Sequence, residues 1–235
     1  MKRRAFLTGI GSAAAARPVQ AAGRPPGASG LPPRKVIIGA VMQAFWVEHP
    51  GLEKRLEELA AIVDRMCSES ERKYGRALDL AVLPEAAITG ETGDRSLSRS
   101  VPFEGPISRV FTRKAREHRC YIVVPTYLRE PDDNNRCSNA ALLVGRKGEL
   151  VGIYRKVHLV VSANGKTMEG GATPGKALPV FQCDFGKLGI QICYDMEFDY
   201  GWRELARQGA ELIAWPTQSP QTAQPAFRAC SSDAT

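Results

Sequence analysis

Three reactive side chains stand at or near the ends of segments that are predicted to be β-strands. Glu85 ends the apolar run LDLAVLPE, Lys156 lies near the end of GIYRKVHL, and Cys193 ends LPVFQCDFGKLGIQIC. A thiol attacks as the thiolate, so it needs a base, and a nearby ammonium group can stabilise the negative charge that develops during attack. A carboxylate, an amine and a thiol therefore suit nucleophilic catalysis.

Each of these residues also has an ordinary structural interpretation when it is taken alone. Cys193 could be a buried core thiol, Glu85 a surface turn residue and Lys156 a solvated charge. Among the three histidines His158 is the best alternative base, but Glu85 is stronger because a carboxylate after an apolar strand is poorly hydrated. At the end of a buried strand, backbone N–H groups could lower the pKa of the Cys193 thiol and hold an oxyanion.

The elements that would position these side chains alternate between strands and helices. Apolar residues at three- and four-residue spacing predict helices, in segments 51–75, 104–118 and 199–209. Apolar runs predict strands, at 35–43 (buried on both faces), 78–85, 120–128 and 210–216. Two further strand pairs are predicted, at 138–157 with a turn at Lys147-Gly148 and at 178–193 with a turn near Phe185-Gly186. This order predicts a mixed sheet of the α/β or α+β class, with functional groups at strand ends.

The segments LPEAAITG, YRKVHL and GIQICYDMEF, in this order, resemble the three signature segments of the nitrilase superfamily, the carbon–nitrogen hydrolases. The resemblance implies a four-layer α-β-β-α sandwich. It implies that Cys193 is the nucleophile, Glu85 the general base and Lys156 the stabiliser of the tetrahedral intermediate. It further implies that Glu169, in KTMEGGATPG, positions the substrate or the lysine. The backbone N–H of Tyr194 would complete the oxyanion hole.

The resemblance covers about residues 35 to 218 and implies hydrolysis of a non-peptide carbon–nitrogen bond. A thioester forms, ammonia or an amine leaves, and water releases the acid, without a metal or an organic cofactor. The partner is then a small-molecule amide or carbamoyl substrate. Nitrilases tend to carry tryptophan and glutamate where Tyr194 and Asp195 follow the nucleophile. Linear amides and N-carbamoyl compounds are therefore favoured, and nitriles are a lesser alternative.

The two ends of the chain lead to two further expectations. Residues 1–34 combine the pair Arg3-Arg4, an alanine-rich stretch and a Pro/Gly-rich leader, which resembles a twin-arginine export signal. Export to the periplasm or the medium is expected, with a cytoplasmic protein as the alternative. Residues 35–235 are expected to form the hydrolase domain, incomplete at its C-terminal end because PAFRACSSDAT begins a helix of the family and then stops. A non-catalytic exported remnant that binds a small carbonyl compound or a partner is the second hypothesis.

Charge and cysteine patterns argue against other classes of protein. Residues 1–35 hold seven basic residues and no acidic residue, so this segment accounts for the whole net charge of +7. In the rest of the chain, 25 basic and 25 acidic residues cancel. A nucleic-acid binder would carry its basic excess on the folded part, so nucleic acid is not an expected partner. Six cysteines without a CxxC motif and three scattered histidines indicate neither a disulfide framework nor a zinc site. The apolar stretch near the N terminus is too short to span a membrane.

The helix that follows the nucleophile, DYGWRELARQG, has two interpretations. The resemblance implies a homodimer or a larger homo-oligomer through this helix, with Trp202 and Leu205 as contacts. The other interpretation is an ordinary helix that packs on its own sheet.

Overall fold

The computed structural model describes residues 35–43, 48–90, 92–162 and 164–219. The predicted export signal in residues 1–34 and the final segment PAFRACSSDAT lie outside these ranges. Within the ranges, no helix has both the length and the apolar character that crossing a bilayer requires.

Two β-sheets form the centre of the fold. The first has five strands, in the spatial order β1 (Ile38–Ala40), β2 (Leu80–Val82), β3 (Tyr121–Arg129), β4 (Cys137–Val144) and β5 (Leu150–Arg155). β1, β2 and β3 run parallel, and β4 runs antiparallel to both β3 and β5. The second has three strands, β6 (Val180–Cys183), β7 (Gly186–Ile190) and β8 (Leu212–Ala214). In it, β7 is antiparallel to β6 and parallel to β8.

In the described part of the chain, four α-helices accompany the sheets: α1 (Leu52–Tyr74), α2 (Ser96–Arg99), α3 (Pro106–His118) and α4 (Asp199–Arg207). Short 3₁₀ helices cover Gly93–Arg95 and Cys193–Glu197. The predicted stop of the first long helix is confirmed, because Gly75 adopts a left-handed conformation with φ of 65° and caps α1 through its N–H. The predicted helices at 104–118 and 199–209 are confirmed as α3 and α4.

Three apolar interfaces stack these elements into four layers. α1 and α3 cover one face of the five-stranded sheet, where Val63 and Phe111 pack with Ile122. The other face packs against the three-stranded sheet, where Val123 of β3 shares a core with Leu188 of β7. Consecutive residues of β3 thus face opposite cores, which is why the strand is an almost continuous apolar run. α4 covers the outer face of the second sheet and completes the α-β-β-α order that the family resemblance implied.

The approach of α4 to its sheet is close and depends on a glycine. A Cβ atom at Gly189 of β7 would lie 2.9 Å from the Leu205 side chain, so a larger residue would force the helix away. Trp202 and Leu205 are 3% and 0% exposed, so both are core residues. Their predicted role as contacts to a second subunit was wrong, because packing on the chain's own sheet already buries them.

The first predicted strand was also wrong in its burial. β1 spans only Ile38–Ala40, and the side chain of Ile38 is 44% exposed. Within the described part of the chain β1 pairs with β2 alone and is an edge strand. An apolar run cannot distinguish an edge strand from a central one, because neighbours are set by tertiary structure. The hairpin predicted around Lys147-Gly148 is confirmed, with Gly148 in the left-handed region at φ of 78°.

Candidate active site

The structure brings Glu85, Lys156, Glu169 and Cys193 together in one crevice of about 320 Å³. Glu85 follows β2, Lys156 follows β5, and Cys193 follows β7. β2 and β5 run in the same direction because two antiparallel pairings separate β5 from β3. The ends of these strands therefore meet at one edge of the sandwich, where open α/β sheets bind their ligands. The catalytic roles of the four residues remain predictions.

Lys156 lies between two carboxylates. Its Nζ donates to Glu85 Oε1 at 3.0 Å and to Glu169 Oε1 at 2.7 Å. All three side chains are buried, and Lys156 is only 1% exposed. Burial by itself would lower the pKa of Lys156, but the negative charges of Glu85 and Glu169, and of the Cys193 thiolate when it forms, outweigh it and raise the pKa. The ammonium group therefore stays protonated at every physiological pH.

The Cys193 backbone holds its thiol in a strained position. Cys193 has a φ of 42°, which is rare for a residue other than glycine, and it begins the 3₁₀ helix Cys193–Glu197. Its N–H donates to Pro216 O at 2.9 Å, and Trp215 Nε1 donates to its carbonyl oxygen at 3.0 Å. Ala86, next to the general-base candidate, also has a positive φ, 49°. Such strain is tolerated where the surrounding contacts fix the backbone, as they do on both sides of this crevice.

The expectation that backbone N–H groups lower the pKa of the Cys193 thiol was wrong. Burial and the nearby Glu85 carboxylate raise the pKa of Cys193 to about 11, although the Lys156 charge and the Thr217 hydroxyl oppose them. The sequence shows that a strand end exposes backbone donors, but it does not show how much water the closed crevice excludes. The resting thiol is therefore neutral near pH 7.

Two partners of the acidic pair were missed by the sequence reasoning. Asn139 Nδ2 donates to Glu85 Oε1 at 2.9 Å and to Glu169 Oε2 at 2.7 Å, and the Tyr127 hydroxyl donates to Glu169 Oε2 at 3.4 Å. Burial and the two carboxylates raise the pKa of Tyr127, so its hydroxyl keeps its proton. The polar pair Ser138-Asn139, directly before the apolar run of β4, was the signal that could have identified Asn139. Glu169 also accepts the Val160 N–H at 3.0 Å, which fixes the loop that carries it.

Asp195 joins the lysine segment to the nucleophile segment. This carboxylate is 0% exposed; its Oδ2 accepts the Tyr154 hydroxyl at 2.6 Å and the Ile192 N–H at 2.9 Å. Its Oδ1 accepts the His158 N–H at 2.8 Å and lies 3.0 Å from His158 Nδ1. Tyr154 and His158 flank Lys156 at a distance of two residues, and Ile192 precedes Cys193. One buried carboxylate thus sets the separation between the ammonium and the thiol. Asp195 and its partners Tyr154, His158 and Ile192 are called the clasp.

His158 and Tyr194 support the crevice in different ways. The His158 ring stacks on Phe198 with 3.7 Å between ring centres, and its Nδ1 is engaged with Asp195 Oδ1 at 3.0 Å. This arrangement favours Glu85 over His158 as the base. The Tyr194 ring packs edge-on against Phe198. Among the described residues, none accepts a hydrogen bond from the Tyr194 N–H, as expected in the first turn of a helix, so this donor suits the predicted oxyanion hole.

Comparisons with known proteins agree with this architecture. A profile of the family described as "Carbon-nitrogen hydrolase" matches residues 40–229. A deaminated glutathione amidase of Mus musculus is 30% identical over 172 residues, which cover 69% of this chain and 53% of that protein. A nitrilase of Pyrococcus abyssi (strain GE5 / Orsay) is 34% identical over 162 residues, 65% of this chain and 58% of that protein.

Solved structures share the fold. The crystal structure of an amidase from Nesterenkonia sp. matches with a TM-score of 0.66 at 21% identity, over 84% of this chain and 71% of that chain. The chain spans about half the length of the curated relatives it matches. Since the family profile matches well over half of the chain, and the mixed α/β layers agree with it, the chain belongs to the carbon–nitrogen hydrolase family of the nitrilase superfamily.

Proposed function

We propose that this protein hydrolyses a linear amide or an N-carbamoyl compound through a thioester on Cys193. The observation that carries the proposal is the shared crevice, in which a carboxylate, a protonated ammonium and a thiol converge from three distant segments. Glu85, Lys156 and Glu169 form a hydrogen-bonded group, and Cys193 lies close enough for its thiolate form to interact with the charge of Lys156.

The first chemical step transfers a proton and forms a carbon–sulfur bond. Because the pKa of Cys193 is about 11, the thiol keeps its proton until the substrate is bound. Glu85 then accepts the proton as sulfur attacks the carbonyl carbon. The carbonyl oxygen becomes an oxyanion, and the Lys156 ammonium and the Tyr194 N–H are the groups that stabilise it.

The second half of the reaction returns the site to its starting state. The tetrahedral intermediate collapses, the carbon–nitrogen bond breaks, and Glu85 gives its proton to the leaving ammonia or amine. The same carboxylate then removes a proton from water, which attacks the thioester and releases the acid and the thiol. Each proton that Glu85 takes is given back, so the proposed reaction needs no metal or organic cofactor.

The substrate class rests on the residues after the nucleophile and on the relatives. Tyr194 and Asp195 stand where nitrilases tend to carry tryptophan and glutamate, and the deaminated glutathione amidase supports an amide. A nitrile is the second candidate, which the relative named nitrilase favours. A primary amide and its matching nitrile give the same acid and ammonia, so the two classes are told apart by which substrate is consumed. A nitrile would add the thiol and then one water before ammonia leaves and the same thioester forms, whereas an amide adds only the thiol before its ammonia or amine leaves.

The decisive experiment measures turnover and the covalent intermediate together. Ammonia release is followed with short aliphatic amides, N-carbamoyl amino acids and the matching nitriles, and intact mass detects an acyl group on the protein. We expect ammonia release and an acyl adduct with an amide or a carbamoyl compound, and loss of both in Cys193→Ala. Cys183→Ala, which removes a buried thiol of β6 in the three-stranded sheet, is the matched control and should keep both turnover and the adduct. Neither turnover nor an adduct with any substrate would instead support the non-catalytic remnant.

Two properties of the whole protein complete the proposal. The basic N-terminal segment supports export by the twin-arginine route, and N-terminal sequencing of the protein from each cell fraction tests it. Assembly as a homo-oligomer is a family expectation, and light scattering during gel filtration measures it directly. Because Trp202 and Leu205 are buried, any contact through α4 would use exposed residues such as Tyr200, which is 67% exposed.

A further inference from the structure

One amide group bridges the two carboxylates of the crevice. Asn139 Nδ2 donates one hydrogen to Glu85 Oε1 at 2.9 Å and the other to Glu169 Oε2 at 2.7 Å. Asn139 lies in β4 opposite Tyr127 of β3, and its backbone carbonyl accepts the Lys156 N–H at 2.8 Å. Both its backbone and its side chain are therefore tied to the catalytic candidates.

The hydrogen bonds of Glu85 are unequally divided between its two oxygens. Oε1 accepts from Lys156 Nζ and from Asn139 Nδ2, which uses both of its lone pairs. Among the described residues, the Gln218 N–H is the donor to Oε2, at 3.3 Å. One lone pair of Oε2 is thus left to take a proton, whereas Oε1 has none.

The orientation of the Asn139 amide has a cost that calls for an explanation. Asn139 is 1% exposed, and its Oδ1 is buried without a hydrogen-bond partner among the described residues. A buried polar atom without a partner is unfavourable and rare in native proteins. Rotating the amide by half a turn would place Oδ1 against two carboxylate oxygens. The amide is therefore held for its two donors, at the expense of its acceptor.

We propose that Asn139 is a positioning residue that holds the carboxylates of Glu85 and Glu169 side by side on its two N–H donors and leaves Oε2 of Glu85 as the oxygen that receives the thiol proton. Two carboxylates on one ammonium leave a net negative charge in the crevice, and Asn139 adds two donors without adding another charge. The part of the inference that concerns the thiol proton rests on the proposed function. The part that concerns the placement of the two carboxylates does not.

Every group that faces Glu85 matters for its titration. Lys156 at the end of β5 and Asn139 of β4 donate to it, and Gln218 follows β8. Glu169 shares both donors, and the Cys193 thiol lies within interaction range. Of these groups, Asn139 alone is neutral at all pH values and donates from a side chain to both acids, so replacing it changes the donors without changing the charge.

The test is a titration that does not depend on turnover. Protein labelled with ¹³C at the glutamate carboxyl carbon is titrated by NMR, and the Glu85 signal is assigned by its absence in Glu85→Gln. In Asn139→Leu, which has a similar volume and no donor, we expect the Glu85 midpoint to rise by about one pH unit. Asn139→Ala serves if the leucine variant does not fold. Ser138→Ala is the matched control, because Ser138 is the buried neighbour in β4 and donates to Glu130 at 2.6 Å instead.

The kinetic arm uses an amide or a carbamoyl substrate that the wild-type protein hydrolyses. The acidic limb of the kcat/KM profile of Asn139→Leu should move to higher pH by the same amount, with kcat reduced and KM little changed. A folded variant with the wild-type NMR midpoint overturns the inference, whatever its activity. A wild-type protein without turnover would overturn the proposed function, while the NMR midpoint would still decide the role of Asn139.

Discussion

Glu85→Gln should have opposite effects on catalysis and on the acidity of the thiol. The substitution keeps the shape of the side chain and removes its negative charge. If Glu85 is the general base, hydrolysis should fall by about 10²- to 10⁴-fold. The same carboxylate is, after burial, the second cause of the raised pKa of Cys193. Removing it should therefore make the thiol easier to ionise.

The magnitude follows from the pKa of about 11 in the wild-type protein. At pH 7 this pKa leaves about one thiol in 10⁴ ionised, against about 3% for an ordinary cysteine, a difference of about 300-fold. Since burial remains in the variant, Glu85→Gln should lower the midpoint by about one unit, which gives about ten times more thiolate at a given pH. The variant should thus be alkylated faster than the wild type and should turn over far more slowly.

The assay is alkylation by iodoacetamide between pH 6 and pH 11, followed by intact mass. Cys193→Ala supplies the background, because the other four described cysteines are buried and Cys193 is the partly accessible one among them. The wild-type rate should rise about tenfold per pH unit without a plateau below about pH 10. A wild-type plateau below pH 9, or a midpoint in Glu85→Gln equal to or above the wild-type midpoint, would refute the electrostatic reasoning.

Three further predictions concern stability. Lys156→Met leaves two buried carboxylates without their ammonium, which should cost about 3–5 kcal/mol and lower Tm by about 6–20 °C in a thermal melt. Asp195→Asn replaces one accepting oxygen by an NH2 group that faces hydrogen-bond donors. This should lower the free energy of unfolding by about 3 kcal/mol and Tm by about 6–12 °C. Burial raises the pKa of Glu130, but hydrogen bonds from Arg155 and Ser138 outweigh it and lower the pKa. Glu130→Gln should therefore be less stable than the wild type at pH 7 in urea. The gap should begin to shrink below the unfolded-state pKa of glutamate, about 4.3, and should close only once the pH falls through the lowered pKa of the folded protein.

Matched variants separate these effects from general damage. Asp132→Asn removes a carboxylate that is 71% exposed in its ion pair with Arg136, and it should change the free energy of unfolding by less than about 1 kcal/mol. If Asp195→Asn melts within about 2 °C of this control, the buried clasp does not stabilise the fold as argued. If Lys156→Met is as stable as the wild type, the two acids must be protonated in the variant, which the NMR titration of the glutamate signals would detect.

The local sequence predicted most of the elements. The three- and four-residue spacing of Leu56, Leu59 and Val63 predicted α1, and Gly75 marked its end, because helix periodicity and a left-handed cap are local properties. The strand pairs around Gly148 and Gly186 were predictable for the same reason. The short helix Ser96–Arg99 and the two 3₁₀ helices were not predicted, because segments of one turn carry too little periodic signal.

Only some residues of the crevice could be predicted from the sequence. Glu85, Lys156 and Cys193 stand at predicted strand ends, so the rule that parallel strands end at one edge was enough to group them. Asn139 lies near the start of β4, an antiparallel strand whose beginning meets the same edge. Polar residues beside an apolar run do not show which way their side chains point unless the register of the neighbouring strand is known. The clasp around Asp195 depends in the same way on contacts over 37 to 41 residues.

The sequence by itself determined the family and the residue types available for chemistry through its motifs, and the order of helices and strands through apolar periodicity. The layer order followed only from the family resemblance. Tertiary structure alone decided the acidity of the thiol, the edge position of β1, the burial of Trp202 and the shared donors of the two carboxylates. The physical reason is that solvation and charge act through space. A carboxylate 108 positions away in the chain, Glu85, raises the pKa of Cys193 only because the fold closes water out between them.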